Sequence, residues 1–191
     1  MVMDTLLADH AVIASPAMLS REAIWTRLAS VPDPEIPVIS IVDLGIVRGV
    51  ELDDAGACTV TLTPTYSGCP ATEVIATDVR QALSDMGCTS TVIKTQLAPA
   101  WTTDWMNDET KAKLLDYGIA PPHVSGVARV TSQSEQRIGI PAIGGLQKNK
   151  IACPRCASLL TETLSQYGST PCKAQYRCLA CREPFDYFKP H

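Results

Sequence analysis

The chain has 191 residues, is 46% hydrophobic and 19% charged, and carries a formal net charge of −4. That composition supports a packed core and excludes wholesale disorder. The acidic balance supplies no global field for nucleic acid, and no apolar run reaches the roughly 18 residues of a membrane-spanning helix. The opening "MVMDTLLADHAVIASPAM" lacks a basic leader region and contains Asp4, Asp9 and His10. Residues 1–19 are therefore expected to form an arm rather than a signal peptide, and a cytoplasmic location is expected.

"LSREAIWTRLASV" is the first helix. Ser20 is the expected N-cap, Leu19 and Ile24 can staple across it, and Ile24, Leu28 and Val31 recur on one face. "PDPEIP" stops it, because each proline lacks a donor and biases its predecessor to extended geometry. "VISIVDLGIVRGVEL" and "ACTVTLTPT" flank "DDAG" and read as an antiparallel hairpin, with Val60 and Leu62 on the buried face of its second strand. "ATEVIATDVRQALSDMG" is a strong amphipathic helix with Ile75, Val79, Ala82, Leu83 and Met86 on one side and Gly87 at its end. "TSTVIKTQL" is a third strand, and "TDWMNDETKAKLLDYGI" a third helix that stops at Gly118. The order α-β-β-α-β-α predicts an α+β domain over 20–120, with helices packed on a small mixed sheet. Proline, glycine and small polar residues then mark 121–150 as a linker, with a short strand expected at "GVARVT".

Five of the eight cysteines crowd into 153–181. Without an export signal, such crowding favours metal over disulfides. "CPRC" (Cys153, Cys156) and "CLAC" (Cys178, Cys181) are two Cys-x-x-Cys pairs, which predict a structural four-cysteine Zn²⁺ site in a β-rich ribbon over 151–191. Four thiolates also suit iron, but two paired knuckles favour zinc. Cys172 is surplus: a substitute ligand, a packed apolar residue or a free thiol. Tyr176, Phe185, Tyr187 and Phe188 make the tail aromatic, either as core for a small domain or as a patch that docks a protein.

Cys69, in "PTYSGCP", sits where a strand hands over to a helix. With Pro70 at the first helical position, Cys69 is the expected N-cap, where the helix dipole lowers a thiol's pKa. Its sequence neighbourhood offers hydroxyls at Thr65, Tyr66 and Ser67 and carboxylates at Asp33, Glu35 and Asp43, but no histidine. Carboxylates with a thiolate make a poor acyl-transfer site and a plausible transient site for iron.

"DPEIPVISIVDLGIVRGVEL" followed by "VTLTPTYSGCPATEVIATDV" resembles the small iron–sulfur cluster assembly domain of cluster-targeting and maturation proteins, with Asp33, Pro34, Glu35, Asp43, Gly45, Thr65 and Cys69 at the matching positions. Together with the C-terminal "CPRCASLLTETLSQYGSTPCKAQYRCLACREPFDYFKP", the chain resembles nearly end to end the D-subunit family of the phenylacetyl-coenzyme A epoxidase. Ala157 departs from the glycine usual after a knuckle. The resemblance implies a non-catalytic accessory subunit that helps assemble or insert iron–sulfur clusters, with iron or a cluster held transiently at Cys69. It implies the epoxidase reductase and oxygenase subunits and the iron–sulfur assembly machinery as partners, and neither nucleic acid nor membrane; a homodimer stays open. The chain itself has no helix-borne Glu-x-x-His pair for a di-iron centre and no glycine-rich dinucleotide turn. Two other readings stand beside this one: a thiol enzyme with Cys69 as nucleophile, and a nucleic-acid-binding ribbon.

Overall fold

The computed structural model describes residues 19–122 and 151–191. The greater part of the expected arm, and the strand expected at "GVARVT", lie outside them. The fold is α+β, with a three-stranded sheet under helices and a four-stranded ribbon sheet.

Helix α1 (Arg21–Leu28) starts as expected: the Ser20 side chain accepts the Ala23 N–H at 3.1 Å. Ile24 and Leu28 bury completely against the core. The next segment corrects the sequence reading. The β-branched run from Val38 predicts a strand, yet β1 (Val47–Leu52) begins nine residues later. Ser40 and Asp43 bond reciprocally, each side chain accepting the other's backbone N–H at 3.0 Å, and the Leu44 N–H donates to the Ser40 carbonyl. These local bonds close a turn that competes with sheet pairing. Ile36, Ile39, Ile41, Leu44 and Ile46 are buried along this folded segment, so their apolar run reports core, not strand. Gly45 lies at φ 70°, and a Cβ there would stand 2.9 Å from the Cβ of Trp105. Glycine is needed both for the backbone conformation and for that close approach.

β1 pairs antiparallel with β2 (Ala57–Leu62), and Cys58, Val60 and Leu62 point into the core. Helix α2 (Ala71–Asp85) crosses over to β3 (Ser90–Thr95), which pairs parallel with β2. Ile75, Val79 and Leu83 press the helix onto the sheet. The expected third helix divides into a 3₁₀ turn (Thr103–Trp105) and α3 (Asp108–Tyr117), which Asn107 caps and left-handed Gly118 ends.

Immediately after α3, β4 (Ile119–Ala120) enters the other sheet. Its strand order is β4-β7-β6-β5, with β5 (Thr161–Ser165), β6 (Lys173–Cys178) and β7 (Pro184–Phe188). β4 runs parallel to β7, Ile119 opposite Asp186 and Ala120 opposite Tyr187. The core is shared in both directions. Phe188 and Cys172 of the ribbon pack in the cluster built by α1, α2 and the first sheet, while Ala120 packs with Ile151, Phe185 and Tyr187. The Trp101 ring lies 6.0 Å from that of Phe188 and donates its Nε1–H to the Leu44 carbonyl at 2.8 Å. Of the aromatic tail, Phe185, Tyr187 and Phe188 are thus core. The exposed apolar residues of the ribbon are instead Leu159, Leu160, Leu164, Tyr167 and Leu179.

Candidate functional site

Two groups of thiols stand apart in character. The first is the ribbon knuckle pair. Cys153 and Cys156 precede β5, Cys178 ends β6, and Cys181 sits in the turn toward β7. Their four sulfurs lie within 4.8 Å of one another, with Cys153 Sγ 3.7 Å from Cys181 Sγ and Cys156 Sγ 3.6 Å from Cys178 Sγ. A tetrahedral ion with bonds of about 2.3 Å to sulfur separates its ligands by about 3.8 Å. The donor set and spacing therefore fit Zn²⁺ with little movement. Each turn closes the same way. Ala157 and Arg182, the residues after each second cysteine, take left-handed φ values of 57° and 66°, and the Cys181 N–H donates to Cys178 Sγ at 3.5 Å. Ala157 holds the conformation in which glycine would be less strained.

The second group surrounds a small cavity of about 20 Å³ where the ribbon meets the N-terminal core. Asp33, Glu35, Thr65, Cys69 and Cys172 line it, over an apolar floor that includes Leu44, Leu62 and Phe188. Asp33 is held rigidly: its Oδ1 accepts the Glu35 N–H at 2.9 Å and the Ile36 N–H at 2.8 Å. Burial pushes the Asp33 carboxyl above its ordinary range, against those two amides. Burial also raises Glu35, and the neighbouring Asp33 adds to the effect. The Tyr66 phenol is pushed up to about 12 by burial and by the Cys69 and Glu35 beside it.

Cys69 itself stands one residue outside the expected position. Pro70 has the helical φ of −66° and occupies the N-cap, with no side-chain cap bond. The Cys69 backbone still joins the first turn, its carbonyl accepting the Thr72 N–H at 3.2 Å. The Cys69 side chain lines the cavity. Asp43, grouped with the site in the sequence, does not line the cavity. Burial favours its neutral form, but the Ser40 amide and the Lys113 ammonium outweigh this and hold its carboxyl below the usual range. Lys113 Nζ reaches Asp43 Oδ2 at 3.2 Å, tying α3 to the Ser40–Asp43 turn. His191 folds back beside Trp101 and lines a neighbouring groove with Thr65, Tyr66 and Ser67.

Cys172 is the residue whose place the sequence leaves open. It is 4% exposed and belongs to the N-terminal core. Thr170 Oγ1 lies 3.0 Å from its Sγ, and Glu35 Oε2 lies 3.9 Å away. Beside it Lys173 is buried, with Nζ 3.8 Å from Asp186 Oδ2. Nothing in the local pattern "STPCKAQYRC" signals that this turn reaches the "DPE" turn 137 residues earlier.

The two halves match two families in turn. Residues 21–92 match the iron–sulfur cluster assembly protein family, and residues 142–189 match the PaaD zinc beta ribbon domain. Over 94% of its length the chain is 45% identical to the putative D subunit of the 1,2-phenylacetyl-CoA epoxidase of Escherichia coli, covering 96% of that protein. The chain belongs to this family of epoxidase D subunits. An Fe-S protein maturation auxiliary factor of Porphyromonas gingivalis is 36% identical and covers 50% of the chain and 90% of its own length. A domain of unknown function, DUF59, from Bacillus anthracis covers 49% of the chain and 90% of that domain, with 29% identity and a TM-score of 0.47. Among the described residues, no helix is long and apolar enough to cross a membrane. The ribbon, which lies beyond the match to the maturation factor family, is the part that supplies Cys172 and Phe188.

Proposed function

We propose that this chain is a non-catalytic accessory subunit that matures the phenylacetyl-CoA epoxidase, taking iron or an iron–sulfur cluster as cargo at Cys69 and passing it to the reductase subunit. The observation that carries this reading is the cavity itself. It sets Cys69 against the carboxylates of Asp33 and Glu35, with no imidazole among the described residues that line it. A thiolate with carboxylates is a ligand set for borderline iron, whereas acyl transfer needs a base poised to take the thiol proton. Thr65 and the Tyr66 phenol place hydroxyl donors at the same rim. The resident ion of the ribbon is Zn²⁺, held by Cys153, Cys156, Cys178 and Cys181. Four thiolates close its coordination, so its contribution is the ribbon's fold, not chemistry. The exposed Leu159, Leu160, Leu164 and Leu179 give the ribbon apolar surface for a protein partner, in keeping with a subunit that works beside others.

The test is the cluster content of the reductase. In cells growing on phenylacetate, Cys69→Ala should leave the reductase several-fold depleted in iron and sulfide, with growth slowed. A fully loaded reductase and normal growth would overturn the proposal.

A further inference from the structure

The cargo site described so far rests on one thiol, yet the cavity has two. Cys172 is not one of the four knuckle ligands. It is carried into the cavity by the turn before β6, and its backbone is fixed there: the Cys172 carbonyl accepts the Lys189 N–H at 2.9 Å, and the Lys173 N–H donates to the Thr170 carbonyl at 3.1 Å. Its sulfur stands 3.9 Å from Glu35 Oε2. That is long for a hydrogen bond but close to the spacing of two ligands on one ion, which is about 3.6 Å for a sulfur at about 2.3 Å and an oxygen at about 2.1 Å. The knuckle sulfurs, a metal-ready pair in the same molecule, stand 3.6 and 3.7 Å apart.

Resting on the reading of Cys69 as the cargo residue, we infer that Cys172 is the second thiolate of that site. A single ferrous ion then binds between Cys69 and Cys172 with Glu35 as carboxylate ligand. Three observations converge. All three side chains line one cavity. The cavity, about 20 Å³, is large enough for a water-sized guest and so for a single ion. The ligand types, two soft sulfurs and one carboxylate, suit iron better than magnesium or calcium. The cavity groups are less tightly gathered than the ribbon's, for among the described residues it is the four knuckle cysteines whose ligand atoms lie within 4.8 Å of one another. These side chains must therefore move to close on an ion.

Asp33 plays a positioning part. Its Oδ1 accepts the Glu35 and Ile36 amides and so holds the turn that presents Glu35. The arrangement also makes the site depend on the ribbon. The second thiol arrives only when β6 and β7 are folded and docked, so ribbon zinc and cargo binding are linked through the fold.

The test uses the full chain with its ribbon zinc retained, titrated anaerobically with ferrous iron against a competing chelator. Wild type should bind one iron per chain. Cys172→Ser and Cys69→Ser should each weaken it at least tenfold, Glu35→Gln should weaken it less, and Cys58→Ser should leave it unchanged. If Cys69→Ser abolishes binding while Cys172→Ser matches wild type, the second ligand is overturned and the reading of Cys69 stands. If neither variant changes the affinity, both fall. Loss of zinc in Cys172→Ser would make Cys172 a ribbon ligand and also overturn the inference. Iron-edge X-ray absorption on the wild type avoids any folding defect: two sulfur neighbours per iron are expected, and one refutes the inference.

Discussion

The two thiol groups of this protein use one element in opposite ways. In the ribbon, four cysteines from two tight turns already stand at the spacing of a tetrahedral ion, and a turn amide points at a sulfur. In the cavity, Cys69 and Cys172 come from segments about a hundred residues apart and share their space with carboxylates. A site that stabilises a fold has every coordination position filled and nothing to exchange. A site that passes cargo on needs fewer, mixed ligands and a pocket that can open. The sequence spacing differs accordingly: the knuckle cysteines are paired locally, whereas the tertiary fold brings Cys69 and Cys172 to one cavity.

The contrast is tested hardest at the ribbon. Cys178→Ala removes a zinc ligand and should cost several kcal/mol, since structural zinc binding is itself folding free energy. Because β4 pairs with β7 and Phe188 packs in the N-terminal core, the damage should spread beyond the ribbon. Thermal melting of the chelated protein should show one joint transition at lowered temperature. An unaltered N-terminal melt would mean that the shared sheet and core carry little coupling.

Phe188→Ala tests the same coupling with the metal untouched. Truncating this 1% exposed ring should cost about 3–5 kcal/mol in urea unfolding, while zinc content stays at one per chain. A cost below about 1 kcal/mol would make the docking of the ribbon superficial.

The thiols can be sorted without mutation. Cys58 is 1% exposed, and burial together with the neighbouring Cys88 pushes its thiol up to about 12, whereas Cys69 is only half-buried. Alkylation near neutral pH, followed by peptide mass spectrometry, should label Cys69 at least tenfold faster than Cys58. Equal rates would contradict this contrast in exposure between the two thiols.

The smallest effect belongs to Asp43. Its carboxyl is held below its ordinary value, so its stabilising contribution is complete above about pH 4 and is lost as the pH falls through the lowered folded value. Lys113 is 37% exposed, so solvent screens the pair. Asp43→Asn should therefore cost only about 1 kcal/mol at pH 7, and the gap to wild type should close on acidification below about pH 4. A gap that widens in acid would contradict this. Cavity iron binding should be untouched, since Asp43 lies outside the lining.

Much of this was legible in the chain. Ser20 as a cap, the periodicity from Ile75 to Leu83 and the two Cys-x-x-Cys pairs are local signals, and local physics decides them. The run from Val38 misled, because β-branched residues mark burial as readily as strands, and the Ser40–Asp43 bonds that make the turn are invisible in apolar patterning. The position of Cys69 shifted by one residue because Pro70 adopts helical φ without being counted in the helix. The partnership of Cys172 with Glu35 was not legible at all. It depends on β4 crossing into the ribbon sheet and on Phe188 entering the other core, which are long-range packing choices with no short-range signature.

A metal count through a chelator challenge separates the two thiol groups in one experiment. The chain is loaded anaerobically with ferrous iron, exposed to a mild chelator and analysed for both metals. One zinc should stay and one iron should leave at the first challenge, with Cys69→Ser holding the zinc alone. Zinc and iron leaving together, or iron retained as firmly in Cys69→Ser as in wild type, would contradict the division into a permanent and a transient site.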